Sequence, residues 1–300
     1  VFTAAAVLLT WAMDWRWGEP RSAWHPVAWL GQAVAPIGRG LLRLPPGWAL
    51  CVGLLAWMAV VGGVAALAWA LEQALHTLDP WWSWPLLALA LKPSLAWRML
   101  VDEVQAVGAA LDGGLAAGQA QVARLCSRDV AQLDANGVRE TALETLAENF
   151  NDSLVAPLFW FIVAGLPGAW AWRAVNTLDA MWGYRGRWEW AGKCAARADD
   201  VLGWLPARLA AMLLWRPSVS LWALRREAAR TTSPNGGWPM AALALRLGVR
   251  LGKPGTYVLN AAAPPPTAEH LHQGVRIAQQ AAVLAFVWTA AILLLRELCA

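Results

Sequence analysis

The sequence predicts an all-α, polytopic integral membrane protein with re-entrant or broken helices and cytoplasmic helical segments. Three observations predict it. Residues 49–71 and 154–172 run 23 and 19 positions without a charged side chain, and 277–295 is uncharged as well. At about 1.5 Å of rise per residue, each can cross a hydrocarbon core of about 30 Å. Only 15% of the 300 residues are charged and 58% are hydrophobic, whereas a soluble domain carries about 25% charged residues. The chain also holds 23 tryptophans. Indole suits the membrane interface, with its apolar body in lipid and its N–H among the headgroups. Stacking on a large flat ligand is the second use such a residue can have.

The elements follow in order. Residues 1–13 are apolar without a basic leader, and are expected to be a retained membrane segment rather than a cleaved signal. The sequence does not begin with Met, and is expected to lack at least its first residue. Arg16, Arg21, Arg39 and Arg43 precede the 49–71 span, and the turn 72–80 that follows it has neither Lys nor Arg. The positive-inside rule places the first side in the cytoplasm and the turn outside. The chain returns through 81–91 to Lys92 and Arg98, an arm short enough to leave Lys92 at the membrane boundary.

Residues 92–153 are the most water-compatible stretch, expected as a cytoplasmic helical insert within one membrane domain over 1–300. Helices are predicted at 95–111, at 115–125 and from Asn136 onward. Gly113-Gly114 separates the first two, and Asp134 is a natural N-cap. The run 154–172 contains Gly165-Leu166-Pro167-Gly168, which should break a helix. Broken backbone at membrane depth needs protein or a cavity around it, so a re-entrant hairpin is expected. Arg216-Pro217 should interrupt 201–224 in the same way. Residues 225–276 carry an excess of Arg and Lys over Glu, again a cytoplasmic mark, and 261–266 should be an exposed loop. Four scattered cysteines without a C-x-x-C pair speak against a zinc site or a disulfide framework. A net charge of +4 without a basic run offers nothing to nucleic acid.

Glu140, Glu144, Glu148 and Asp152 step by four residues and form one acidic stripe on a helix. Like charges at that spacing repel by some tenths of a kcal/mol per pair, a cost to be avoided beside a membrane entry unless something compensates. The stripe is either a solvated acidic face or a site for Mg²⁺, which one or two carboxylates hold together with substrate phosphates. Asp14, Gly18-Glu19-Pro20 and His25-Pro26 follow the first apolar segment. Asn176, Asp179, Arg197, Asp199 and Asp200 lie between apolar runs, where polar residues are functional candidates. The backbone amides of the turn at 233–237 can hold an anion, or it is a plain loop. The run 248–253 reads G-x-x-x-G-K but is not a P-loop, which needs four residues between the glycines and Ser or Thr after the Lys.

Taken together, these blocks resemble the CobD/CbiB family, the adenosylcobinamide-phosphate synthases of cobalamin biosynthesis. Asp14 with Gly18-Glu19-Pro20 and His25-Pro26-Val27 is similar to the family's opening D…GDP…HPV. Glu144-Thr145-Leu146-Ala147-Glu148-Asn149, Asp152 and Ala156-Pro157-Leu158-Phe159 resemble its ESLAEN..D…APLF centre. Arg173 to Asp179, then Met181, Gly183, Tyr184 and Arg185, resemble RAVNTLDSMVGYR. Arg197, Asp199, Asp200, Pro206, Ala207 and Arg208 resemble RLDD…PAR, and Ser233-Pro234-Asn235, Gly237 and Pro239 resemble SPNAGxPE. The chain departs from the pattern at Glu19 (usually Asp), Lys92 (commonly Arg), Gly203 (commonly Asn) and Met240 (an expected acid).

The resemblance implies an amide ligase of the inner (cytoplasmic) membrane with its site facing the cytoplasm. Its substrates would be adenosylcobyric acid and aminopropanol or its phosphate, with ATP as co-substrate and Mg²⁺ as cofactor. It implies catalytic positions at Asp14, Glu144, Glu148 and Asp152, the last three also as metal ligands. Substrate-binding positions would be His25, Lys92, Asn149, Asn176, Asp179, Tyr184, Arg197, Asp199, Asp200, Arg208, Ser233 and Asn235. The lipid bilayer and other late cobalamin-pathway membrane enzymes are the implied partners. A non-catalytic AmpE-like sensor or regulator is the alternative function; a transporter is a further one, although no repeat between halves supports it.

Overall fold

A computed structural model describes residues 3–20 and 22–299. Val1 and Phe2 of the first apolar segment, Arg21 of the first basic segment, and Ala300 lie outside the described residues. The chain is an all-α integral membrane protein. Three helical stretches, Pro46–His76, Ala135–Trp182 and Ala268–Cys299, are long and apolar enough to cross a membrane. Two three-residue strands are the sheet among the described residues. The fold divides into two compact units.

The first unit comprises Val1–Ala96, Ala156–Gly203 and Phe286–Ala300. It contains α1 (Thr3–Trp17), α2 (Pro26–Leu41), α3 (Pro46–His76), α4 (Pro80–Leu91), α8 (Ala156–Trp182), α9 (Lys193–Leu202) and the end of α13 (Ala268–Cys299). Leu54, Leu55, Met58 and Leu67 of α3 are exposed, as lipid-facing side chains on an uncharged helix should be. Trp81 and Trp82, at the start of α4, are exposed too, which suits an interfacial position. The other side of α3 joins a core in which Ala49 and its neighbours Val52 and Ala56 meet Val34 and Leu41 of α2, Leu178 and Trp182 of α8, and Ala195 of α9.

Helix α8 is broken as the run Gly165-Leu166-Pro167-Gly168 predicts, at Ala164 and Gly165 on its leading edge. Ala164 has φ −139° and Gly165 has φ 65°, ψ −153°, a backbone state essentially reserved for glycine. Pro167 falls in the first turn of the following arm, where its missing N–H costs nothing. The break reverses the chain. A Cβ on Gly168 would lie 2.3 Å from the Trp160 carbonyl oxygen, whereas eight residues of straight helix would separate the two by about 12 Å. The freed backbone groups find side chains: Leu166 N donates to Glu72 Oε1 at 3.1 Å, and Arg296 donates to the Ile162 carbonyl. That satisfies the rule that buried backbone polar groups are paired.

The second unit comprises Trp97–Val155 and Trp204–Ala285. It holds α5 (Trp97–Asp112), α6 (Leu115–Val122), α7 (Ala135–Phe150), α10 (Trp204–Leu214), α11 (Leu221–Ala228), α12 (Gly237–Leu247), the hairpin β1 (Leu251–Lys253) and β2 (Tyr257–Leu259), and the first part of α13. Asp134 caps α7, accepting from Gly137 N at 2.7 Å. Helix α7 is surrounded: Val138, Ala142, Leu143, Leu146, Ala147 and Phe150 are all fully buried. It packs on α5, α6, α12 and β1, with Trp97 edge-on to Phe150. A helix so enclosed takes its polar residues inside with it. The segment 201–224 is interrupted twice, at Gly203 between α9 and α10 and again between Leu214 and Leu221, the latter where Arg216-Pro217 predicts.

Candidate functional site

Each unit carries a polar cluster. In the second, the acidic stripe is not a solvated face. Glu140 and Glu144 are buried, and each meets a cation: Arg250 Nε lies 3.0 Å from Glu140 Oε1, and Arg128 Nη2 lies 2.8 Å from Glu144 Oε2. Arg128 also donates to Thr141 Oγ1 at 3.2 Å. Here is the compensation that the i, i+4 repulsion demands. Glu148 is exposed and Asp152 half-buried, so the row runs from neutralised carboxylates to accessible ones. Asp152 sits in a π-helical turn, Asn151–Val155. Such turns widen a helix by one residue and recur at functional sites. Asn151 Nδ2 donates to Asp152 Oδ1 at 2.8 Å, while the Asn149 amide turns back to the Thr145 carbonyl.

The hairpin closes over this row. Tyr257 lies within hydrogen-bonding reach of Glu144, and its hydroxyl is 3.7 Å from Met240 Sδ. Burial first, then the negative charge of Glu144, raises the Tyr257 phenol above its ordinary value, so it remains a donor at neutral pH. Met240, where the resemblance leads one to expect an acid, therefore stands beside the row and adds no charge to it. Next to Glu148 comes the turn at 233–236: a Cβ on Gly236 would lie 2.9 Å from Glu148 Oε1. The amides of Asn235 and Gly236 donate to Ser233 Oγ at 3.2 and 3.1 Å, so the serine hydroxyl closes the turn and these two amides are not open to an anion. Arg208 donates to Asn235 Oδ1 at 3.0 Å and is held between Trp204 and Trp238, 4.3 and 4.8 Å from their ring centroids.

In the first unit, Asp14, Glu19, His25 and Lys92 come together from three elements. Lys92 Nζ lies 3.1 Å from Asp14 Oδ1 and 2.5 Å from Glu19 Oε1, and His25 Nε2 lies 2.6 Å from Glu19 Oε2. His25 also N-caps α2, its Nδ1 accepting from Val27 N. Burial works to raise the Glu19 carboxyl, but the His25 hydrogen bond and the Lys92 charge outweigh it and hold it below the ordinary carboxylate value. Elsewhere in this unit, Asn176 Nδ2 donates to Asp199 Oδ1 at 3.4 Å. Arg197 makes a loose surface pair with Asp200. Burial, only partly offset by Arg197, raises the Asp200 carboxyl. Asp179 packs against Gly183, and Tyr184 is exposed.

Glu19, Arg128, Arg250, Lys253 and Tyr257 were not singled out from the sequence as site residues. One signal was present for Tyr257: the chain has only two tyrosines beside its 23 tryptophans. Among the described residues, no three His, Cys, Asp or Glu side chains are gathered as a metal cluster. Glu148 and Asp152 remain as two hard oxygen donors open to solvent, the donor chemistry that suits Mg²⁺ shared with a phosphate.

The family model for CobD/Cbib protein matches residues 7–285, which takes in both clusters. The chain belongs to the CobD/CbiB family. It is 37% identical over 305 residues to a cobalamin biosynthesis protein CobD of Rhodobacter capsulatus, covering 93% of each chain. A Klebsiella pneumoniae protein of the same name is 36% identical over 267 residues, covering 85% of this chain and 84% of that one. The cobalamin biosynthesis protein CbiB of Salmonella typhimurium is 34% identical over 270 residues, with the same coverage. No solved structure matches the chain. Membership in the CobD/CbiB family gives this membrane protein a role in cobalamin biosynthesis.

Proposed function

We propose that the protein is an amide ligase that joins a propionate carboxylate of adenosylcobyric acid to aminopropanol or its phosphate. The observation that carries this reading is the acidic row beside a set of cations, in a chain of the CobD/CbiB family. A carboxylate is a poor electrophile, so the propionate oxygen first attacks the γ-phosphorus of ATP, giving an acyl phosphate and ADP. The amine then attacks the acyl carbon, phosphate leaves, and the amine's proton passes to a base. Glu148 and Asp152 would hold Mg²⁺, which when bound offsets phosphate charge. Glu144, fixed by Arg128 and Tyr257, orients that end of the row. Arg208, donating to Asn235 Oδ1, orients that asparagine beside the row, where it would face the substrate's polar edge. Asp14 and Lys92 form a second essential cluster.

The positive-inside rule favours the inner membrane with 14–48, 92–153 and 225–276 on the cytoplasmic side, where ATP is available. The hairpin in α8 suits a re-entrant segment, its tip beside Glu72 at the far end of α3. The test is genetic and chemical. A deletion strain should accumulate cobyric acid and grow again when given cobinamide, and the purified protein should form the ligated corrinoid from cobyric acid, amine and Mg-ATP. A deletion strain that ligates cobyric acid normally, with no second copy of the enzyme, refutes the reading.

A further inference from the structure

One feature of the second unit is absorbed neither by the family blocks nor by the acidic row: the hairpin of β1 and β2, with the basic stretch leading into it. A cavity of about 640 Å³ lies against it, lined by Glu140, Arg250, Gly252, Lys253, Thr256 and Tyr257, among others. Lys253 and Tyr257 are a cross-strand pair, so their side chains leave the hairpin on one face. Tyr257 reaches Glu144, and Lys253 lies within electrostatic reach of Glu148. Yet Lys253 is exposed and makes no ion pair among the described residues. Its neighbours in the turn are Pro254 and Gly255, the latter with φ 69°, then Thr256, which is exposed and lines the cavity.

We propose that this hairpin, through Lys253, Thr256 and Arg250, is the phosphoryl-binding subsite of the ligase. The inference rests on the ligase reading and adds to it the element that takes the phosphate. An anion close to four carboxylates needs cations that those carboxylates have not consumed. Arg128 is committed to Glu144 and well buried, whereas Arg250 is half exposed while pairing with Glu140, and Lys253 has its full charge to give. Several donors around one open cavity suit a tetrahedral, multiply charged group better than a single carboxylate, which one cation would satisfy. Glu148 is accessible and within electrostatic reach of Lys253, so a divalent cation held at that carboxylate can neighbour the phosphate. The glycine-containing run 248–253 differs from a P-loop in its flanking elements as well: it follows helix α12 and enters strand β1.

Two phosphate-bearing substrates can enter the proposed reaction, ATP with its triphosphate and aminopropanol phosphate with its phosphate monoester. Lys253→Gln and, separately, Thr256→Val are compared with the parent protein in detergent. Melting temperature verifies folding, and KM is measured for Mg-ATP, aminopropanol phosphate and free aminopropanol. Binding of Mg²⁺ with adenylyl imidodiphosphate and of aminopropanol phosphate alone is measured by calorimetry. Loss of a charge-assisted contact should raise one KM and the matching Kd about 10–100-fold. A rise for ATP with either amine supports the subsite and assigns it to the nucleotide. A rise for aminopropanol phosphate but not for free aminopropanol supports it and assigns it to the amine. Unchanged constants for both phosphates, or a rise confined to the corrinoid, overturns it. If the parent binds a phosphate ligand and the variants lose it, but no amide is ever formed, the subsite stands and the ligase reading falls.

Discussion

Replacing Lys92 with Met removes the one ammonium that serves both Asp14 and Glu19. The side chains are 9%, 1% and 6% exposed respectively, so little solvent can take the lysine's place. Breaking a buried pair by removing one partner costs about 3–5 kcal/mol, and 1 kcal/mol corresponds to about 2–4 °C in a chain of 150–250 residues. Lys92→Met should therefore lower the apparent melting temperature by roughly 6–20 °C at neutral pH. The pH dependence adds a second readout. In the parent, the folded-state value of Glu19 is depressed. Its contribution is then present above the unfolded-state value of about 4.3 and is lost as pH falls through the lower folded value. In the variant, burial acts without the ammonium and favours the protonated acids, so acidification should narrow the gap between the two proteins. Thermal unfolding in detergent between about pH 7 and about pH 3, a range that runs below the unfolded-state value, followed by intrinsic fluorescence, measures both effects. A variant within 2 °C (about 1 kcal/mol or less) of the parent at neutral pH, or a gap that does not change with pH, would show that the cluster is not the buried three-way pairing described.

Glu148→Gln and Asp152→Ala should each abolish ligation while leaving the melting temperature within a few degrees of the parent, since both side chains reach solvent; turnover near the parent rate in both returns the row to a structural role. Arg128→Ala should destabilise by about 3–5 kcal/mol, because it strands Glu144 in the interior, and the double change Arg128→Ala with Glu144→Gln should recover much of that loss in the same melt. Gly192→Ala should prevent stable folding, because its Cβ would stand 1.6 Å from the Trp182 carbonyl oxygen; normal yields of monodisperse protein would argue against that packing. In a cysteine-free background lacking Cys51, Cys126, Cys194 and Cys299, an impermeant thiol reagent added outside the cell should modify a cysteine at Thr77 and spare one at Ala117. The reverse pattern inverts the orientation.

The spans could be read from sequence because an uncharged run of 19 or more residues has few alternatives. The helix break could be read because Gly165 and Pro167 are specialised in backbone geometry, though only the φ/ψ of Gly165 places it two residues before the proline. The acidic stripe was visible because its periodicity is local. What neutralises it was not: Arg128 lies 16 residues from Glu144, and Arg250 lies 110 residues from Glu140. Periodicity within one helix has no means of reporting those partners. Likewise Glu19 looked like a conservative replacement in a motif until the fold brought Lys92 to it across 73 residues of chain. The division into two units leaves no mark either. The boundary at Val155 and Ala156 falls within continuous helix, and Gly203 is a single residue rather than a linker.

The last helix has a bearing on how the protein is made. Its final stretch belongs to the first unit: Phe286 stacks on Trp11 at 5.4 Å, Glu297 accepts from the Thr3 amide at 2.6 Å, and Arg296 covers the Ile162 carbonyl. The first 96 residues are thus synthesised long before the side chains that complete their packing. At about 5–20 residues per second, the ribosome needs roughly 10–40 s to deliver them. Throughout that interval α1 lacks its aromatic neighbour, and the hairpin in α8, made part-way through it, waits in turn for its guanidinium. The nascent chain must therefore be sheltered by lipid or by the insertion machinery until those turns of α13 arrive, which makes residues 286–297 the stretch that locks this packing.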